Sequence, residues 1–220
     1  MQLNMTSSMA FIANAPAEPA LLLQQLLDGA QRSKSELQSM NLATLDAEFG
    51  VLNRTVLYRG LSADNCIVYI TQRYTRNYKN IAANPKCGVT IYLPHVSLGQ
   101  AEPPATWQVR LIGATAVELP DAELDAWWAK ESLAAQIRNL IFPCGQPIDY
   151  EQQKQKHDAY LQKFLEDKQP LQRPPTYTAF KFKAQAWDFL KVGENQIADR
   201  LQYRQLATAT GQWQSLHVST

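Results

Sequence analysis

Arg54-Thr55-Val56-Leu57-Tyr58-Arg59 is the stretch that decides the reading of this chain, together with Thr71 and the run Thr75-Arg76-Asn77-Tyr78-Lys79-Asn80-Ile81-Ala82-Ala83-Asn84-Pro85. The first piece is rich in branched and aromatic residues and reads as a strand with a cation at each end. The second reads as a short helix over Arg76 to Ala83, with the Thr75 hydroxyl as N-cap and Asn84-Pro85 as stop. A phosphate needs charge-assisted donors converging on one spot. Arg supplies a planar fork, hydroxyls add neutral donors, and a helix N-terminus adds backbone N–H groups. Both pieces place such groups at strand ends, as a small β-barrel does. Taken by spacing alone, a solvated turn carrying surface arginines explains them as well.

Working outward, the pattern is that of short strands joined by turns. Pro19 opens a helix running to about Met40, with Leu22, Leu23, Leu26 and Leu27 on one face. Strands are expected over Asn41 to Gly50, Arg54 to Gly60 and Cys66 to Thr71, with a turn at Ser62 to Asn65. Lys86 to Leu93 and Trp107 to Glu118 follow, separated by a loop from Pro94 to Ala105. Pro120 to Ala129 is an acidic helix, 131 to 142 is helical, and Tyr150 to Lys168 is a long polar helix. Three last strands read as Tyr177 to Phe182, Trp187 to Leu190 and Gln212 to His217. Fold class is therefore mainly β (α+β), an antiparallel small barrel with peripheral helices. Residues 1–17 read as a mobile N-terminus and residues 18–220 as one domain.

Composition narrows the classes. Of 220 residues 45% are hydrophobic, enough for a core, and the net charge of +1 gives no field for a nucleic acid. No run is long and apolar enough for a membrane span, and the first basic residue, Arg32, comes too late for a signal peptide. Three cysteines, Cys66, Cys87 and Cys144, give no disulfide framework, so a reducing cytoplasm is expected. The three histidines lie far apart, so no metal is expected. Glycine-rich nucleotide loops and hydrolase signatures are absent.

From Arg54 to the C-terminus, the chain resembles the pyridoxamine 5'-phosphate oxidase family of FMN-binding split barrels. The family's Arg-x-Val-Leu-x-Lys/Arg pattern is matched by Arg54 to Arg59. Thr71, Thr75, Arg76 and Asn84-Pro85 fall in its register without gaps. Its Arg-Gln-Val strand is similar to Trp107-Gln108-Val109, and its Asp-Arg pair to Asp199-Arg200. The resemblance implies FMN as cofactor, held by Arg54, Thr55, Val56, Leu57, Arg59, Ile70, Thr71, Thr75, Arg76, Asn77 and Gln108. It also implies a homodimer with FMN sites at the subunit interface, Arg200 reaching in from the second subunit.

Departures in the cofactor half weaken the expected FMN site. Asn77 replaces a Lys, for which Lys79 is a possible substitute, and Leu190 replaces a Trp. The substrate half departs far more. The family grips the vitamin's phosphate with Lys, Tyr, Arg and Ser, which here read Arg59, Trp127, Glu131 and Ala135. Exchanging a cation for a carboxylate beside a phosphate turns attraction into repulsion, on the order of a few kcal/mol each way at an effective dielectric near 20. The family's Arg-x-His reads Gln196-Ile197-Ala198. The resemblance thus implies an FMN-binding oxidoreductase whose substrate is not a vitamin B6 phosphate. A true pyridoxamine/pyridoxine 5'-phosphate oxidase and a non-catalytic flavin-binding module are the alternatives. Trp127 and Trp128 are candidates for an apolar substrate pocket, with burial in the core as the competing reading. No general acid or base is evident.

Overall fold

The computed structural model describes residues 7–30, 38–99, 102–206 and 211–220. One sheet runs β11 (Trp213–Val218), β10 (Asp199–Gln205), β8 (Ala186–Val192), β6 (Ala105–Glu118), β5 (Lys86–Val96), β2 (Ser39–Asp46) and β3 (Gly50–Leu57). Off this path β4 (Ile67–Gln72) pairs with β7 (Tyr177–Lys183), and β7 pairs with β6, all antiparallel. Beyond β3 the chain reaches β4: Arg59 N–H donates to Val68 O and Val68 N–H to Gly60 O. The strands β3-β2-β5-β6-β7-β4 thereby wrap around the main core. Helices α1 (Pro19–Ala30), α2 (Arg76–Ala83), α3 (Asp121–Trp128), α4 (Leu133–Ile141) and α5 (Tyr150–Asp167) lie outside the strands.

β6 explains how one strand serves two pairings. Its N-terminal half pairs with β8 through Thr106 to Ile112, its C-terminal half with β7 through Thr115 to Glu118. Buried residues fall on Trp107, Val109 and Leu111, then on Ala114 and Ala116, so the alternation changes phase. The change is a bulge: between Cys87 and Val89 on β5, β6 carries an additional residue. Gly113 sits there at φ +62, the left-handed region natural to glycine.

Several expected boundaries move. The described part of the first helix is Pro19–Ala30, the expected continuation over 31–37 lies outside the described residues, and Met40 belongs to β2, where it alternates with Leu42 and Thr44 on the buried face. The expected strand Asn41 to Gly50 is Ser39–Asp46, with a turn before Gly50 starts β3. β5 continues through Pro94 to Val96, shortening the expected loop. β10 was not anticipated as a strand, because only Leu201 and Tyr203 of it are buried. Within the stretch expected to be mobile, residues 7–17 lie against the sheet. β1 (Ser8–Met9) pairs in parallel with β9 (Gln196–Ile197), Ile12 N–H donates to Asp199 at 2.7 Å, and the Tyr203 hydroxyl donates to Pro16 O. Among the described residues no helix is long and apolar enough to cross a membrane.

Candidate functional site

A cavity of about 580 Å³ opens between β3, the end of β4, the start of α2 and one face of α4. It is lined by Arg54, Thr55, Val56, Leu57 and Arg59 on one side and by Tyr69, Ile70, Thr71, Thr75 and Asn77 on another. Ser132, Ala134, Ala135, Arg138 and Asn139 of α4 and its cap complete the wall, with Cys144 beyond. That volume lies in the range of small-molecule sites.

The polar end is organised by a helix cap. Thr75 holds an extended backbone, its hydroxyl accepting from Tyr78 N–H at 3.2 Å and donating to Gln72 O at 2.9 Å. Its one hydroxyl proton is thus used, and Thr71 supplies the hydrogen in the 3.0 Å contact between the two hydroxyls. The positive end of α2 meets the cavity here. Across from it, Arg54 Nη1 donates to Leu42 O at 3.0 Å and Thr44 Oγ1 at 2.8 Å. Those bonds fix one nitrogen of the fork, and a guanidinium has five N–H donors. Burial draws the Arg54 pKa below its ordinary value. Asn77 donates from its amide to the Tyr69 hydroxyl at 3.0 Å.

Arg76, Gln108 and Arg200 lie elsewhere. Arg76 turns to the β2–β3 turn, 3.3 Å from Glu48 and 3.8 Å from Asp46, with its guanidinium 4.9 Å above the Phe49 ring. Two carboxylates capture a cation that the sequence alone aims at the cavity. Lys79 lies on that same side, lining a different depression with Asp46 and Glu48. Gln108 stands opposite both Tyr92 and Leu190, and Leu190 opposite Arg200, so these side chains share one face of the sheet. Next to that row is Asp188, fully buried, accepting from Arg110 at 3.0 Å and from Gln202 at 2.7 Å, with Arg200 Nε 3.7 Å away. Gln108 and Arg200 are therefore brought together, on a face apart from the cavity.

At the other end of the cavity Arg59 Nη2 lies 3.0 Å from Glu131 Oε2. The Tyr177 hydroxyl reaches Glu131 Oε1 at 3.4 Å, and burial, followed by the Glu131 charge, pushes the Tyr177 pKa well above the ordinary phenol value. Gln72 donates to Asn139 O at 3.1 Å, and the Tyr74 hydroxyl to Phe142 O at 2.9 Å, tying α4 to β4. Trp127 and Trp128 do not line the cavity. Both are buried in a second core cluster with Val68, Leu124 and Tyr177, where Trp128 Nε1 donates to Leu171 O at 2.7 Å. Gln196 and Ile197 are engaged by the N-terminal segment through β9.

Sequence reasoning did not find Arg138, an exposed cation of the cavity rim without an ion-pair partner among the described residues. Nor did it find the Arg59–Glu131 pair, although the charges of both partners were visible. Their spacing in the chain carries no sign of contact.

The sequence profile described as pyridoxamine 5'-phosphate oxidase matches residues 27–191. The chain belongs to the pyridoxamine 5'-phosphate oxidase family. Among curated relatives, a dihydrophenazinedicarboxylate synthase of Pseudomonas chlororaphis is 25% identical over 86% of this chain and 79% of its own length. A pyridoxine/pyridoxamine 5'-phosphate oxidase of Methylibium petroleiphilum is 27% identical over 91% of this chain and 88% of its own. Of solved structures, PhzG from Burkholderia lata 383, in complex with tetrahydrophenazine-1-carboxylic acid, has a TM-score of 0.75 at 16% identity, covering 98% and 100% of the two chains. A pyridoxamine 5'-phosphate oxidase-related, FMN-binding protein of Nostoc punctiforme gives 0.66 at 20% identity, covering 95% and 100%. These two likenesses establish the split-barrel architecture of the pyridoxamine 5'-phosphate oxidase family for this chain.

Proposed function

We propose that this protein is an FMN-binding oxidoreductase, built as a homodimer, whose substrate is not a vitamin B6 phosphate. The observation that carries the cofactor reading is the convergence of Arg54, Thr71, Thr75 and the N-terminus of α2 on one end of the cavity. That donor set fits a phosphate monoester, with one anchored guanidinium, a helix dipole and the Thr71 hydroxyl, whose hydrogen, held by Thr75 in this structure, would turn to the ligand. Arg54, Thr71, Thr75 and Asn77 hold the phosphate in this reading. Thr55, Val56, Leu57 and Ile70 flank the ring system. FMN, when bound, supplies the hydride and electron transfer. The chain's own groups bind it, orient it and limit water.

Gln108 and Arg200 support the dimer. They share a face of the sheet and are not among the residues that line the cavity, which supports a site completed by a second copy. The substrate reading rests on Arg59, which is engaged by Glu131, and on Ala135 and Gln196 to Ala198. Family membership leaves the substrate open, since relatives bear the names of both a phenazine synthase and vitamin B6 oxidases.

The test is direct. Purified protein is expected to be yellow, to release FMN on denaturation, and to show no ordinary turnover of pyridoxine 5'-phosphate. Colourless protein that fails to take up added FMN refutes the cofactor reading, and brisk turnover of the vitamin phosphate refutes the substrate reading.

A further inference from the structure

The substrate end of the cavity holds a charge arrangement that its lining does not require. Arg59 keeps 22% of its side chain exposed there, while the Glu131 side chain behind it is 1% exposed. Glu131 Oε2 is buried and makes no aligned hydrogen bond, so Arg59, at 3.0 Å, is what balances its charge. Among the described residues, Oε1 receives only the long contact from Tyr177. On the adjacent wall Ala134 and Ala135 are apolar, the Ser132 hydroxyl accepts from Ala135 N–H as the cap of α4, and Arg138 at the rim adds one cation that is not paired with Glu131. A buried carboxylate stays ionised only beside a cation, and removing that cation leaves a costly lone charge. Arg59 is therefore committed to Glu131. An anion arriving at its exposed side would meet a neutralised guanidinium and the field of the carboxylate behind it.

We propose that Glu131 is the specificity-determining residue of this cavity, an internal carboxylate that occupies the anion site on Arg59. The position at Arg59 then takes an uncharged group of the substrate, a hydroxyl or a carbonyl, and disfavours a phosphate or sulfate ester there. The inference rests on reading this cavity as the substrate-bearing end of the flavin site.

Phenyl phosphate and benzyl alcohol are the probes, titrated calorimetrically into flavin-saturated protein. The wild type binds benzyl alcohol at least as tightly as phenyl phosphate. Glu131→Gln raises phenyl phosphate affinity about tenfold or more and leaves benzyl alcohol within about twofold. Adding Arg59→Gln to that variant abolishes the gain. Three results overturn the proposal: a wild type that prefers phenyl phosphate, no gain in Glu131→Gln, or a gain that persists without Arg59. Should Glu131→Gln fail to fold, the wild-type preference between the two probes decides alone. Protein that takes up no flavin refutes the FMN reading. The Arg59-dependent difference, measured on that same flavin-free protein, still tests the role of Glu131.

Discussion

Arg54 and Thr75 show how one side chain carries both architecture and chemistry. Arg54 is bonded to β2 through one nitrogen, so its loss acts on the fold and on the anion together. Arg54→Gln is expected to weaken FMN about tenfold to a hundredfold, as for a charge-assisted bond, and to weaken riboflavin, which has no phosphate, far less. Quenching of flavin fluorescence measures both, and equal losses for the two ligands would contradict a phosphate contact. Thr75→Ala removes the cap of α2 and should cost about 1 kcal/mol in chemical denaturation, along with FMN affinity. A residue-scale pH effect comes from buried acids. Burial raises Tyr58, Tyr203 and Cys87 to about 12 each from values of 10.0, 10.0 and 9.0. The folded state binds these protons more tightly, so their contribution is complete below the unfolded pKa values and lost as pH rises towards 12. Stability should hold to about pH 9 and then fall, as chemical denaturation at a series of pH values measures.

Among elements, α2 was legible because its signals are local: a hydroxyl cap, a short polar helix and Asn84-Pro85 to end it. α1 was legible in its start and its apolar face, while Met40, expected in the same helix, belongs to β2. The residues before Met40 are acceptable in a helix, and only the period-two match of Met40, Leu42 and Thr44 to the buried face decides for a strand. β10 escaped for the opposite reason. It lies between β8 and β11, and its outward residues Arg200, Gln202 and Arg204 read as a loop. The destination of Arg76 was likewise illegible, since it depends on where the β2–β3 turn carries Asp46 and Glu48. The cavity's residues from β3 and β4 were legible because a strand ending in a cation and a strand ending in hydroxyls announce themselves locally. The α1 contribution can be measured. Leu26 is 0% exposed, and Leu26→Ala should cost about 2–5 kcal/mol in chemical denaturation.

The whole molecule is incomplete as a site if Gln108 and Arg200 serve a cavity other than their own. Mixing tests this without a structure of the complex. Protein carrying Arg54→Ala and protein carrying Arg200→Ala should each bind FMN poorly. Unfolded together and refolded, they should recover about a quarter of the wild-type sites, because half the dimers are mixed and each mixed dimer holds one intact site. No recovery would place both residues in one chain's site.

The phase change at Gly113 reaches further than local geometry. A strand is a count modulo two, and β6 is a strand whose count is reset once, between its partners β8 and β7. Substitutions on either side preserve the count. Deleting Gly113 does not: Leu111 and Ala114 would stand two positions apart in an unbulged strand, and one half of β6 would slip by a residue against its partner β8 or β7. The molecule is thus more tolerant of spelling changes in β6 than of a change in its length, since the pairing of Gln108 with Leu190 and that of Thr115 with Lys183 are held at one spacing through Gly113.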